Sequence, residues 1–148
     1  ARLVQSRQQL MTAIVQAIVG AMRRDPKRPD AEVGLKTPSI HSDLLWTLHS
    51  NNNIAEALRR FGVSRTTRSL ILVRVAPPLD AGELVQHMTQ LVDGTLQTRG
   101  LSLPSPALAW SELGTAYKIQ DTPAFQHPDT SQVDALICSM VASKYVGA

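Results

Sequence analysis

SNNNIAEALRRFGVSRTTRSLILVRV, residues 50–75, joins a helix pattern directly to a strand pattern. Asn53 is a preferred helix-capping residue, and one helical face then carries apolar residues at Ile54, Ala57, Leu58 and Phe61. Gly62 ends this helix in the left-handed conformation that a carboxyl cap favours. Residues 70–75 are apolar except for one arginine and rich in β-branched side chains, which predicts a central strand covered on both faces.

The sequence ahead of this stretch has the same mixture of patterns. Residues 39–49 are apolar at most even positions and polar at most odd positions, which predicts a half-buried strand. Ser6 and Gln9 have the form of a capping box, and apolar residues follow at helical spacing, so we expect a helix over residues 7–22. Residues 23–34 contain two prolines and seven charged residues and predict a surface loop.

The carboxyl-terminal half has weaker patterns. Leu101 and Leu103 alternate with polar residues and predict a short strand. Residues 107–117 predict a brief helix that ends in a strand-like stretch at 117–119. Residues 120–131 predict a polar loop, and the apolar spacing that follows predicts a final amphipathic helix, with Val133, Leu136, Ile137, Met140 and Val141 on its apolar face.

Another capped helix is expected to begin at Asp80 with Glu83 and to end at Gly94. Its buried stripe would consist of Leu84, Val85, Met88, Leu91 and Val92. A chain of 148 residues with 43% hydrophobic content is long enough for one domain with its own core. We therefore predict a single α/β (α+β) domain over residues 1–148, with a small, mainly antiparallel sheet of about three to four strands and about five helices.

Catalytic and metal-binding patterns are absent from the sequence. Consecutive His41, Ser42 and Asp43 suggest a triad, but strand alternation would put Ser42 on the opposite face. His41 and Asp43 would then share the solvent-facing side, as a surface rather than a catalytic pair. The other histidines lack partners at metal-ligand spacing, and no glycine-rich phosphate loop occurs. The sequence predicts no enzyme, no metal and no cofactor.

Cysteine usage and hydropathy predict a soluble intracellular protein. Cys138 is the single cysteine, so it cannot form an internal disulfide, and it is expected to pack as a small buried hydrophobe. No apolar run approaches the roughly 18 residues that a membrane-spanning helix needs.

Charge is distributed unevenly along the chain. Residues 1–75 carry 12 Lys or Arg against 5 Asp or Glu, whereas residues 76–148 carry 3 against 7. A basic half is typical of a surface that contacts nucleic-acid phosphates, but a solvated face of no special function has the same composition.

One constellation could bind an anion. Asn51, Asn52 and Asn53 precede a helix whose first amides point outward, and Arg59 and Arg60 follow on that helix. Asparagine is also a preferred cap and tolerates turn conformations, so a purely structural turn is an equal alternative.

At these residues a family resemblance becomes visible. SNNNIAEALRRFGVS followed by SLILVRV is similar to the signature segment of the kinase-binding subunit of EKC/KEOPS, which is called the PRPK-binding protein in animals. The stretch IHSDLLWTL before it, and YKIQ and VDALICSMVASK near the end, resemble further family segments. Family members usually begin with a further strand and helix, so we expect this chain to lack them and to leave part of its core uncovered.

The resemblance implies a non-catalytic adaptor. It would dock directly on the small atypical kinase of the complex, stimulate that kinase and contact other subunits indirectly. Leu136, Met140 and Val141 on the last helix are candidate kinase contacts, with core packing as the alternative for each.

The resemblance also implies help in recruiting tRNA, by its 3′ end, for threonylcarbamoyladenosine modification. The tRNA contacts would then be Asn51, Asn52, Asn53, Arg59 and Arg60. It further implies a location in the nucleus and cytoplasm and a link to telomere maintenance. The alternatives are an independent RNA-binding domain and a small-molecule-binding or hydrolytic domain.

Overall fold

The computed structural model describes residues 3–25, 27–32, 34–77, 80–97, 106–127 and 129–146. These ranges contain helices and two short strands, in the order α1 Arg7–Ala21, β1 Arg24–Asp25, β2 Arg28–Glu32, α2 Ile40–Leu48, α3 Ile54–Phe61, α4 Ala81–Thr89, α5 Pro106–Tyr117, α6 Pro123–Gln126 and α7 Thr130–Ala142. The helices predicted at 7–22, after Asn53, at 107–117 and near the carboxyl end are confirmed as α1, α3, α5 and α7. The strand predicted at Leu101 and Leu103 lies outside the described residues.

The predicted α/β (α+β) fold with a sheet of about three to four strands is wrong. Within the described ranges, strand pairing is confined to β1 and β2, which form a two-stranded antiparallel ribbon. This ribbon lies in residues 23–34, where the composition predicted a loop. The other described elements are helices, so the core is built by helix packing.

The strand predicted over residues 39–49 is the helix α2. Its amino end has a capping box, because Ser39 Oγ accepts from the Ser42 N–H and Ser42 Oγ accepts from the Ser39 N–H, both at 3.2 Å. Apolar residues at even positions are consistent with a strand, but three of them are also four residues apart and share one helical face: Ile40, Leu44 and Leu48. The local cap selects the helix.

The central strand predicted over residues 70–75 is also wrong. Residues 69–76 belong to neither strand nor helix. Leu72 is 40% exposed, and the Val75 N–H donates to Nε2 of His41 at 3.1 Å. A strand pattern produces a strand only where a second strand pairs with its backbone, and the described part of the chain has no such neighbour here.

The core lies where α1 packs against α2 and α7, with α5 closing one side. Its fully or nearly fully buried members include Leu10, Ala13, Ala17, Leu44, Leu48, Phe61, Leu113, Ala116, Tyr117, Val133, Ile137 and Val141.

A polar link crosses this core. The Tyr117 hydroxyl donates to the Leu48 carbonyl at 2.5 Å and accepts from Nε2 of Gln9 at 2.8 Å. Ser6 Oγ caps α1 by accepting from the Gln9 N–H, as predicted. The Gln9 side chain accepts from the Gln5 N–H instead of completing the capping box. Gln9 thus ties the first turn of α1 to α5, and Tyr117 ties α5 to α2.

Two helix ends differ from prediction. Gly62 ends α3 with φ −76°, so it is not left-handed; a Cβ there would lie 2.3 Å from the Leu58 carbonyl oxygen, which is why glycine fits. Lys118 adopts the left-handed conformation with φ 55°, and the Ile119 N–H turns back to the Gly114 carbonyl. The strand-like end predicted at 117–119 is therefore a helix cap.

The helix predicted at Asp80 is confirmed as α4, but its stripe is not buried. None of its residues is buried, Val85 is 53% exposed, and Leu91 just beyond it is 75% exposed. The helix ends at Thr89, before Gly94. An apolar stripe is buried only where a partner element covers it.

Candidate functional site at the asparagine turn

Residues 49–53, which we call the asparagine turn, connect α2 to α3. Asn53 Oδ1 caps α3 by accepting from the Glu56 N–H at 3.0 Å. Asn51 Oδ1 accepts from the Asn53 N–H at 2.9 Å, and its amide donates to Glu56 at 3.4 Å. The Asn52 side chain is exposed and makes no hydrogen bond to any residue in the described ranges. Two asparagines therefore shape the turn, and one presents its amide to solvent.

The two arginines of α3 differ in exposure. Arg60 Nε donates to the Glu56 carboxylate at 2.8 Å, and its side chain is 22% exposed. The Arg59 side chain is 70% exposed and lies 3.7 Å from the same carboxylate. The bond from Arg60, with a second from Asn51, lowers the pKa of Glu56. Both arginines thus pair with Glu56, and Arg59 keeps much the larger exposed surface.

A buried lysine lies beneath the turn. Lys144, just past α7, donates from Nζ to the His49 carbonyl at 2.8 Å and to the Asn51 carbonyl. Its ammonium lies 4.5 Å from the centroid of the Trp46 ring, a cation–π contact. The side chain is only 7% exposed, and burial lowers its pKa to about 8.

His49 stabilises the turn from the other side. The residue is 2% exposed, and Nδ1 accepts from the Asn51 N–H at 3.1 Å. Burial lowers the pKa of the imidazole, so the ring is neutral at pH 7 with Nδ1 unprotonated. Nε2 has no hydrogen-bond partner among the described residues, and the ring packs edge-on to Phe61.

Lys144 was not identified from the sequence, although one signal was present. After Asp134 it is the only charged residue in the chain, placed next to an aromatic residue at the end of an apolar helix. A single charge in such a setting indicates a specific buried partner. Its acceptors, however, lie up to 95 residues away and cannot be found from local spacing.

The predicted solvent-facing pair of His41 and Asp43 does not exist. Asp43 is fully buried and accepts from the Thr37 N–H at 2.8 Å and from the Tyr145 hydroxyl at 2.6 Å. His41 is exposed and accepts from Val75. The strand that would have put them on one face is a helix, and Asp43 is on its inner side.

The three candidate kinase contacts on α7 occupy different environments. Val141 is 1% exposed and belongs to the core, whereas Leu136 and Met140 are half-buried at its edge. Leu136 and Met140 therefore keep apolar surface that a partner could cover.

A second apolar face occurs on α1. Its inner face packs in the core, while its outer face and its C-cap carry four exposed apolar residues at helical spacing: Met11 47%, Val15 51%, Val19 47% and Met22 72%. A surface helix of a protein that acts alone normally has polar residues on this side. We call these four residues the outer stripe of α1.

The described ranges contain no cluster of three or more potential metal-ligating side chains. None of the helices in these ranges has both the length and the apolar character needed to span a bilayer.

Residues 1–145 match the family model described as kinase binding protein CGI-121. The chain is 35% identical over 101 residues to the EKC/KEOPS complex subunit CGI121 of Gibberella zeae, covering 64% of this chain and 47% of that protein. It is 32% identical over 97 residues to the Aspergillus terreus subunit, covering 64% and 45%. It is 31% identical over 113 residues to the Cryptococcus neoformans subunit, covering 75% and 48%. The chain spans about half the length of these curated relatives.

Proposed function

The chain belongs to the CGI-121 family of kinase-binding proteins, and on that premise we propose that it is a non-catalytic adaptor subunit of an EKC/KEOPS complex. The relatives named above are subunits of that complex. Four buried titratable side chains support a structural role, because each bonds to another part of the fold: Asp43, Tyr117, Lys144 and Tyr145. Its working location would be the nucleus and cytoplasm.

The direct partner is the small atypical kinase of the complex, which the adaptor binds and stimulates. The observation that carries this step is the outer stripe of α1. The stripe residues are 47 to 72% exposed, and on α7 Leu136 and Met140 also keep partly exposed apolar surface. An apolar patch of this kind on a small protein is typical of a protein–protein contact.

Co-purification with the small kinase tests the contact. Val15→Glu puts a charge in the middle of the stripe and should abolish capture. Val85→Glu is the matched control, because Val85 is a helix valine with nearly the same exposure, 53% against 51%. Leu136→Arg should weaken capture as well. If the unsubstituted chain captures no kinase, or if both valine variants behave alike, the outer stripe is not the contact.

The asparagine turn is the proposed tRNA contact. Asn52 and Arg59 would meet the nucleic acid, since both extend into solvent, while Asn51, Asn53 and Arg60 hold the turn in shape. An amide and a guanidinium close in sequence suit single-stranded nucleotides, which proteins recognise through base edges and phosphates.

Filter binding of tRNA to the assembled complex tests this surface. Arg59→Glu and Asn52→Ala should each weaken binding, whereas Arg74→Glu, which makes the same charge change at another exposed arginine, should have a smaller effect. Equal losses for both arginine variants would indicate only a general charge effect. Tight binding of tRNA by the isolated chain would favour the alternative, an independent RNA-binding domain.

A further inference from the structure

The inward-facing carbonyl groups of the asparagine turn are held from the end of α7. Lys144 binds the carbonyls of His49 and Asn51, and Trp46 Nε1 donates to the Asn52 carbonyl at 3.4 Å. The Trp46 ring also makes a cation–π contact with the Lys144 ammonium. With the backbone carbonyls bonded inward, the Asn52 side chain is left pointing to solvent.

Tyr145, the residue after Lys144, fixes the segment that follows α7 to α1 and α2. The Tyr145 hydroxyl donates to Asp43, and its ring packs edge-on to Trp46 with centroids 5.3 Å apart. The ring lies so close to Gly20 of α1 that a Cβ there would be 2.3 Å from Cζ of Tyr145. Arg23 donates to the Tyr145 carbonyl at 3.1 Å. The segment that carries Lys144 must therefore follow any shift of α1 relative to α2.

We propose that Lys144 is a positioning residue that couples kinase docking on α1 and α7 to tRNA capture at the asparagine turn. The inference rests on the proposed function, because it links the two surfaces assigned there. A kinase pressed on the outer stripe would change how α1 meets Tyr145, and Lys144 would transmit that change to the carbonyls of His49 and Asn51. Such coupling is reciprocal, and its usual size is a factor of about 5 to 150 in affinity.

The test is a thermodynamic cycle with three proteins. The three proteins are the parent, Lys144→Met and Tyr145→Phe. For each, the affinity for tRNA is measured with and without saturating kinase, and the affinity for the kinase is measured with and without tRNA. Lys144→Met keeps an apolar side chain on Trp46 but removes the ammonium. Tyr145→Phe removes the bond to Asp43 and leaves the ammonium in place, so it controls for general loosening of the segment.

For the parent we expect the kinase to raise tRNA affinity by a factor above about 5, and tRNA to raise kinase affinity equally. In Lys144→Met the factor should fall to near one, while kinase affinity without tRNA stays within about twofold of the parent. Tyr145→Phe should retain the factor. If Lys144→Met retains the increase in tRNA affinity on kinase binding, or if both variants lose that increase alike, Lys144 is not the coupling residue. If the parent binds both ligands with no mutual effect, the coupling is absent although the proposed function stands. If it binds neither, the proposed function itself fails.

A measurement on the unsubstituted protein does not depend on the folding of any variant. Kinase binding should shift the indole N–H resonance of Trp46, whose ring contacts Lys144. The indole of Trp110, which stacks on Phe125 at 5.0 Å in another part of the fold, is the internal control and should move little. A Trp46 resonance that stays in place at kinase saturation would overturn the coupling.

Discussion

Burial of Lys144 should make the fold more stable as the pH rises above 7, because the buried side chain then loses its charge. Burial lowers its pKa from 10.5 to about 8 in the folded protein. Between these two values the unfolded chain binds more protons than the folded one, so the free energy of unfolding rises with pH through this window. From the two pKa values, the expected rise between pH 7 and pH 9.5 is about 2 kcal/mol. The carbonyl bonds and the Trp46 ring favour the charged form, which makes this value an upper bound.

The measurement is urea unfolding of the parent and of Lys144→Met across that pH range. The stability difference between the two proteins should change by up to about 2 kcal/mol, with the parent gaining as pH rises. The pKa values of Cys138, Tyr117 and Tyr145 are raised in the folded protein, which lowers the free energy of unfolding as pH rises. These contributions are the same in both proteins, so they cancel in the comparison. Parallel pH profiles for the two proteins would refute a lowered pKa of Lys144 in the folded protein.

Three further perturbations test the fold around the turn. Tyr117→Phe should cost about 2 to 3 kcal/mol in chemical denaturation, because it leaves the buried Leu48 carbonyl without a partner and Gln9 Nε2 with only a long bond to the Leu3 carbonyl; a loss under 0.5 kcal/mol would contradict the polar link. Gly20→Ala should destabilise by about 1 to 3 kcal/mol despite its better helix propensity, since its Cβ would meet the Tyr145 ring, whereas Gly94→Ala, with ordinary contacts, should be nearly neutral. His49 should make stability fall as pH drops below about 6.5, because its pKa is lowered on folding and the unfolded chain then binds the extra proton. A His49→Phe variant should lose this acid sensitivity, and an unchanged profile would assign it to another group.

The sequence predicted those helices whose signals are local. The caps at Ser6 and Asn53 and the apolar spacing of α7 each lie within a few residues, and these three helices are confirmed. The strand at 39–49 was wrong because Ile40, Leu44 and Leu48 fit both periods, and only the cap at Ser39 separates them. The strand at 70–75 was wrong because pairing depends on a distant neighbour.

The candidate site was proposed from the sequence, but the contacts that its residues make could not be predicted. Three consecutive asparagines indicated a special turn, yet which of them shapes the backbone depends on Glu56 and on hydrogen-bond geometry. Lys144 and Trp46 contribute through contacts between α7, the turn and α2, which no spacing rule connects. The outer stripe of α1 was missed, although the sequence shows a helix that is apolar on two faces, and such a helix needs two partners.

Direct titration of the purified chain with the small atypical kinase, followed by calorimetry at several temperatures, tests the adaptor role most directly. We expect saturable binding with a negative heat-capacity change, since the outer stripe of α1 would lose its contact with water. Absence of binding by a chain that is folded by circular dichroism would contradict the assignment as a kinase-binding adaptor.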